Sequence, residues 1–221
     1  MTRNFYNREI SINSNSKSLA GNLFIPSDAK GVVIFVHGSG SSRFSPRNKS
    51  VAQVLQESNI ATLLFDLLTQ KEEEEERWTA HIRFNIPLLA KRLVDVTEWI
   101  RENPNTKNLP IGYFGASTGA AAALVAAGQS NDRVKAIVSR GGRPDLAYDD
   151  LFNVRVPTLL IVGERDDQVI ELNQIAFEKL IQVKEKKIII VPKATHLFEE
   201  TGTLEQVSVH AVKWFLKYLN L

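Results

Sequence analysis

Apolar residues in this chain follow two alternating patterns. Short unbroken runs occur at residues 31–36 (GVVIFV), 61–68 (ATLLFDLL), 111–114 (IGYF), 134–138 (VKAIV), 157–162 (PTLLIV) and 187–191 (KIIIV). Such runs suit strands buried on both faces. Between them lie segments with helical spacing, at residues 48–57, from Asn85-Ile86-Pro87 onward, and at 169–181. In the second, Leu88, Leu89, Val96, Trp99 and Ile100 share a face; in a closing segment Leu204, Val207, Ala211, Trp214, Phe215 and Tyr218 do the same. Residues 9–25 alternate more loosely and break at 13–18, as a β-hairpin at a sheet edge would. Strands alternating with amphipathic helices predict a mostly parallel α/β sheet covered on both faces. No repeat or linker interrupts residues 1–221, so one domain is expected.

Composition narrows the function. A chain of 221 residues with 43% hydrophobic and 24% charged residues can bury one sizeable core. A net charge of +2 is too small to argue for nucleic acid or an anionic membrane surface. With no cysteine, disulfides, thiolate catalysis and cysteine-based metal sites are excluded. No metal or cofactor is expected. The start, MTRNFYNREI, has no apolar core of signal-peptide length, and no run is long enough to span a membrane; a cytoplasmic location is expected. Residues 72–76 are five consecutive glutamates, expected in a solvated loop without a ligand role.

The candidate chemistry lies on the turns. Residues 111–127 read IGYFGASTGAAAALVAA: a strand, a turn matching G-x-S-x-G around Ser117, then an alanine-rich helix. On such a turn a serine stands clear of the sheet, and side chains two residues either side would collide. A serine hydroxyl needs an adjacent base oriented by a carboxylate. Asp166 follows PTLLIV and His196 follows KIIIV, the chain order Ser, Asp, His expected of this turn. Of the other histidines, His81 and His210 fall in helical segments, and His37 precedes a glycine loop that it is expected to shape. Asp167 competes with Asp166 and is instead suited to capping the helix that follows. Two backbone N–H groups should receive the developing oxyanion. Thr118 would give one; the loop after GVVIFV would give the other, with Ser39 preferred and Gly38 the alternative.

With HGSG, GASTG, GERDD and ATHLF in this order, the chain resembles the α/β-hydrolase superfamily, and its short form resembles the dienelactone hydrolase-like group. The resemblance implies an eight-stranded, mostly parallel sheet and hydrolysis of a small ester or lactone through an acyl-enzyme. Dienelactone hydrolases proper carry cysteine where this chain has Ser117, so their substrate does not transfer with the name. Residues 139–156 are too short for a large cap domain and leave room for a small helix at 145–152. Arg140 and Arg143 flank Gly141-Gly142 after a strand and are candidates for gripping an anionic substrate; the bland alternative pairs Arg143 with Asp145. A dinucleotide-binding module is disfavoured, because G-x-G-x-x-G spacing and its downstream acid are missing. The remaining alternative is a non-catalytic hydrolase fold that binds a ligand or partner.

Overall fold

The computed structural model describes residues 5–79, 81–130 and 133–219. It opens with β1 (Phe5–Ser14) and β2 (Lys17–Pro26), an antiparallel hairpin closed at Asn15-Ser16, both with positive φ. There follow β3 (Val32–Val36), α1 (Pro46–Glu57), β4 (Ala61–Phe65), α2 (Gln70–Thr79) and α3 (Ile86–Glu102). Then come β5 (Ile111–Ala116), α4 (Thr118–Gln129), β6 (Val134–Arg140), β7 (Thr158–Gly163), α5 (Asp167–Lys179), β8 (Lys186–Val191) and α6 (Thr203–Tyr218). The strands form one eight-stranded sheet, ordered β1-β2-β4-β3-β5-β6-β7-β8. Pairings from β4 through β8 are parallel, and only the β1–β2 and β2–β4 pairings are antiparallel.

The unbroken apolar runs are explained by burial on both faces. Along β3, Val32, Ile34 and Val36 join one core with α3 and α4, while Val33 and Phe35 join the other with α1 and α6. Phe35 and Phe114, on neighbouring strands, meet at 4.9 Å between ring centroids in the second core. The alanines of α4 are buried throughout, so this helix lies close against the sheet. Its small side chains permit that approach, and it holds the turn before it firmly at the sheet's carboxyl edge.

Three expectations need correction. The glutamate run is not a solvated loop: it forms half of α2, with Glu72 and Glu76 buried. Thr69 and Glu72 make a reciprocal cap, in which the Thr69 N–H donates to Glu72 Oε2 at 2.9 Å and the Glu72 N–H to Thr69 Oγ1 at 3.3 Å. The Arg92 guanidinium then grips Glu72 with two bonds, at 2.7 and 2.9 Å. Burial pushes the Glu72 carboxyl up, but the bonds from Arg92 and Thr69 outweigh it and hold it at about 2. Glu76, four residues on, accepts from Arg83 Nε at 2.9 Å. The segment at 145–152 makes two short 3₁₀ turns, Pro144–Ala147 and Leu151–Asn153, instead of one helix. His81 lies between α2 and α3, outside either helix.

Candidate active site

The turn between β5 and α4 is shaped by steric exclusion. Ser117 sits there with φ 51° and ψ −123°, a conformation strained for any residue with a side chain. A Cβ on Gly115 would lie 2.5 Å from Ala120 Cα, and one on Gly119 would lie 2.2 Å from the Val36 carbonyl oxygen. Neither position admits a larger residue without moving the backbone. The Ser117 N–H donates to the Arg140 carbonyl at 3.2 Å, and the Ser117 carbonyl accepts from the Arg143 N–H at 3.0 Å. The loop after β6 therefore clamps the serine from its far side.

Asp166 and His196 meet across the same edge. His196 Nδ1 lies 2.7 Å from Asp166 Oδ2. Asp166 occupies the N-cap position of α5, where an aspartate ordinarily accepts from its own helix, yet its side chain makes no capping bond. Its carboxylate is turned to the histidine instead. Asp167 stands in the first turn of α5. Gly141 completes the link to the serine: its φ is +52°, and a Cβ there would lie 3.1 Å from the His196 carbonyl oxygen and 3.5 Å from the imidazole. The loop that clamps Ser117 thus also abuts His196.

The glycine loop after β3 forms the opposite wall. His37 holds it: Nδ1 lies 2.9 Å from the Gly38 carbonyl oxygen, and Nε2 accepts from the Leu67 N–H at 3.0 Å. That pattern fixes the neutral tautomer with the proton on Nδ1. Burial pushes the ring's pKa down, opposed by the Gly38 bond and the charge of Asp66. A Cβ on Gly38 would lie 3.0 Å from Ser117 Cβ, so the loop backbone runs directly beside the serine. The Ser39 N–H donates to Thr118 Oγ1 at 2.8 Å. The Thr118 N–H opens α4 and has no acceptor within the helix. A cavity of about 20 Å³, room for about one water, lies against Gly38, Ser39 and Thr118 and reaches Leu68 and Arg83. A wider groove of about 700 Å³ lies along β2 and α1, lined by Phe24, Arg43, Lys49 and others, and touches none of Ser117, Asp166 or His196.

The two candidate arginines differ. Arg143 forms a fork with Asp145, at 2.8 and 2.7 Å, so its donors are engaged locally. Arg140 is buried, 5% exposed, and makes no such pair. Several supporting residues left no mark on the sequence reading. Asn173, fully buried in α5, donates to the Gly142 carbonyl at 3.0 Å and steadies the clamp loop. Glu200 accepts from the Thr195 N–H at 3.1 Å, beside His196. The Thr69–Glu72 cap was readable as T-x-x-E. The Asn173 contact spans 31 residues, and both contacts use a backbone partner that leaves no trace in residue type.

The pattern of the dienelactone hydrolase family matches residues 19–216. The chain belongs to the dienelactone hydrolase family. It is 53% identical to a dienelactone hydrolase from Anabaena variabilis, with a TM-score of 0.95 over 98% of this chain and 99% of that one. The esterase Est1E from Butyrivibrio proteoclasticus and an esterase from Pyrococcus furiosus, each 16% identical, share the fold with TM-scores of 0.76 and 0.77. They cover 95% and 98% of this chain, and it covers 98% and 92% of theirs. Two Mycobacterium tuberculosis proteins, provisionally named phosphoribosyl transferases, are 56% identical over 211 residues. Those residues are 96% of this chain but 46% of each relative, so the chain spans about half their length. The family and its eight-stranded fold support a hydrolase. Among the described residues no helix is long and apolar enough to cross a membrane, and no group of three or more acidic, histidine or cysteine side chains could hold a metal.

Proposed function

We propose that the protein is a serine hydrolase that cleaves a small ester or lactone through an acyl-enzyme. Ser117 is the nucleophile, His196 the general base and then acid, and Asp166 the carboxylate that orients the imidazole. The single observation that carries this reading is the Asp166–His196 bond of 2.7 Å, made by an N-cap aspartate that leaves its own helix uncapped. A carboxylate on Nδ1 leaves Nε2 as the base and stabilises the imidazolium that forms.

In the proposed reaction, Ser117 Oγ attacks the substrate carbonyl as His196 Nε2 takes its proton. The tetrahedral oxyanion is received by the Thr118 N–H at the start of α4 and by a donor from the glycine loop. Ser39 supplies that second donor when its N–H turns from Thr118 Oγ1 to the substrate oxygen; Gly38 is the alternative, since its backbone lies beside Ser117. Collapse expels the alkoxide, which leaves with the proton from His196. Water, deprotonated by His196, then attacks the acyl group and restores Ser117. For a lactone the leaving alkoxide remains tethered until the second step.

The transferase name belongs to relatives of which the matched segment is less than half, and this reading concerns that segment alone. The test is hydrolysis of a panel of p-nitrophenyl esters and lactones by wild type and Ser117→Ala. The variant should fold with an unchanged Tm and lose turnover on the order of a thousand-fold or more. Undiminished turnover in a folded Ser117→Ala protein would remove Ser117 as the nucleophile, and no turnover by wild type would leave the non-catalytic, ligand-binding alternative standing.

A further inference from the structure

Arg140 ends β6 in register with Ala116, the residue before the nucleophile, and its side chain turns toward α1. Its Nε is buried without a hydrogen-bond partner, its Nη2 makes one long contact, 3.5 Å to Asn48 Oδ1, and its guanidinium lies over the Phe198 ring at 5.8 Å from the centroid, a contact that does not neutralise the charge. Among the described residues no carboxylate lies within ion-pairing distance of it. A buried charge is costly unless paired, and proteins rarely leave one open. Arg47 stands next to Asn48 in the first turn of α1, and its Nε is likewise buried without a partner. Its Nη1 reaches Glu199 at 3.1 Å, but that glutamate is largely exposed and satisfies only the outer edge of the fork. The charge of Arg47 even works against Arg140: burial, and then Arg47, lower the Arg140 pKa to about 10. Two cations and a helix N-terminus therefore converge, and among the described residues the one carboxylate paired with either arginine is the exposed Glu199 on Arg47. The positive end of α1 adds to the field, although Pro46 offers no N–H there and the Asn48 N–H is taken by Ser45 Oγ at 3.4 Å.

We propose that Arg140, Arg47 and Asn48, at the N-terminus of α1, form a binding site for a small oxyanion, a carboxylate or phosphate group. The planar forks of the two arginines match the geometry of such a group, and Asn48 adds an amide donor once its side chain turns from Arg140. The oxyanion could be free in solution or carried by the substrate, because Arg140 directly adjoins the Ser117 clamp through its backbone carbonyl.

Titration calorimetry with inorganic phosphate in a chloride buffer tests the site on the whole chain. Wild type should bind one phosphate per chain. Arg140→Met and Arg47→Gln should each weaken that binding about tenfold or more. Arg47 is partly exposed, so its variant keeps the test valid if Arg140→Met fails to fold. Arg133→Gln, on a distant surface pair with Glu98, should bind as wild type does. No saturable binding by wild type, or equal binding by the Arg47 and Arg133 variants, would overturn the proposal. A second arm identifies the source and alone rests on the hydrolase reading. Phosphate that raises KM for a carboxylate-bearing ester but not its neutral match marks a substrate group. Phosphate that binds yet alters neither marks a free anion. Calorimetry needs no turnover, so the site and the hydrolase reading fail separately.

Discussion

The two walls of the carboxyl edge treat buried charge in opposite ways. On the α2–α3 wall the buried ions among the described residues are paired: Arg92, 4% exposed, is gripped twice by Glu72, and Glu76 holds Arg83. On the wall built by β6, α1 and the His196 loop, Arg140 is equally buried and unpaired, and Asp166 is withdrawn from its own helix to serve a histidine. Closed pairs fix a backbone in place. Open or diverted charges weaken the fold locally and leave groups available to something else. The contrast separates residues that hold the edge from residues that act there.

That division can be broken by variants that remove one charge from each wall. The largest effect is expected at Asp166. Asp166→Asn should lower kcat/KM on the order of ten-thousand-fold, the scale set by a histidine held in the wrong tautomer, with little change in Tm. Asp167→Asn should cost at most about 1 kcal/mol of stability and leave turnover nearly intact. If the two reverse in severity, the orienting carboxylate is Asp167.

On the opposite wall the effect should move to stability. Glu72→Gln strands Arg92 and should cost about 3–5 kcal/mol, lowering Tm by roughly 6–20 °C for a chain of this size. Because Glu72 is held at about 2 against an ordinary 4.5, its contribution is fully present above pH 4.5 and is lost as pH falls through 2. Thermal melts from pH 6 to pH 2 should therefore descend less steeply in Glu72→Gln than in wild type. Parallel curves would mean that the pair contributes nothing.

The last effect, opposite in sign, belongs to Arg140→Met in phosphate-free buffer. At neutral pH the arginine is still charged, so its burial cost is present there and is relieved only as pH rises through about 10. Removing it should leave stability unchanged or raise it by as much as about 4 kcal/mol. A loss matching that of Glu72→Gln would make Arg140 a structural residue and erase the difference between the walls.

The sheet was legible because strands buried on both faces are apolar at most positions, and their short runs, bounded by turn residues, stand apart from the longer alanine-rich run of α4. The Ser117 turn was legible because steric exclusion at Gly115 and Gly119 forces a fixed residue spacing. The wall at α2 was not, because a uniform glutamate run hides its own periodicity. Glu72 and Glu76 lie four apart on one helical face, but their neighbours are the same residue, and the partner Arg92 lies twenty residues on. The solitude of Arg140 was hidden for a related reason. Among the described residues the one hydrogen-bond partner of its side chain, Asn48, is 92 residues away, and an arginine after a strand usually reaches solvent. The bond between the Ser39 N–H and Thr118 Oγ1 spans 79 residues and uses a backbone donor, which leaves no trace in residue type.

The claim on which the rest depends is that Ser117 becomes acylated. Treatment with a fluorophosphonate, followed by proteolysis and mass spectrometry, reads this directly. A single phosphonyl adduct is predicted on the peptide containing Ser117, formed at the rate at which ester hydrolysis is lost and missing from Ser117→Ala. An adduct on any other serine, or full loss of hydrolysis with Ser117 unmodified, would contradict it.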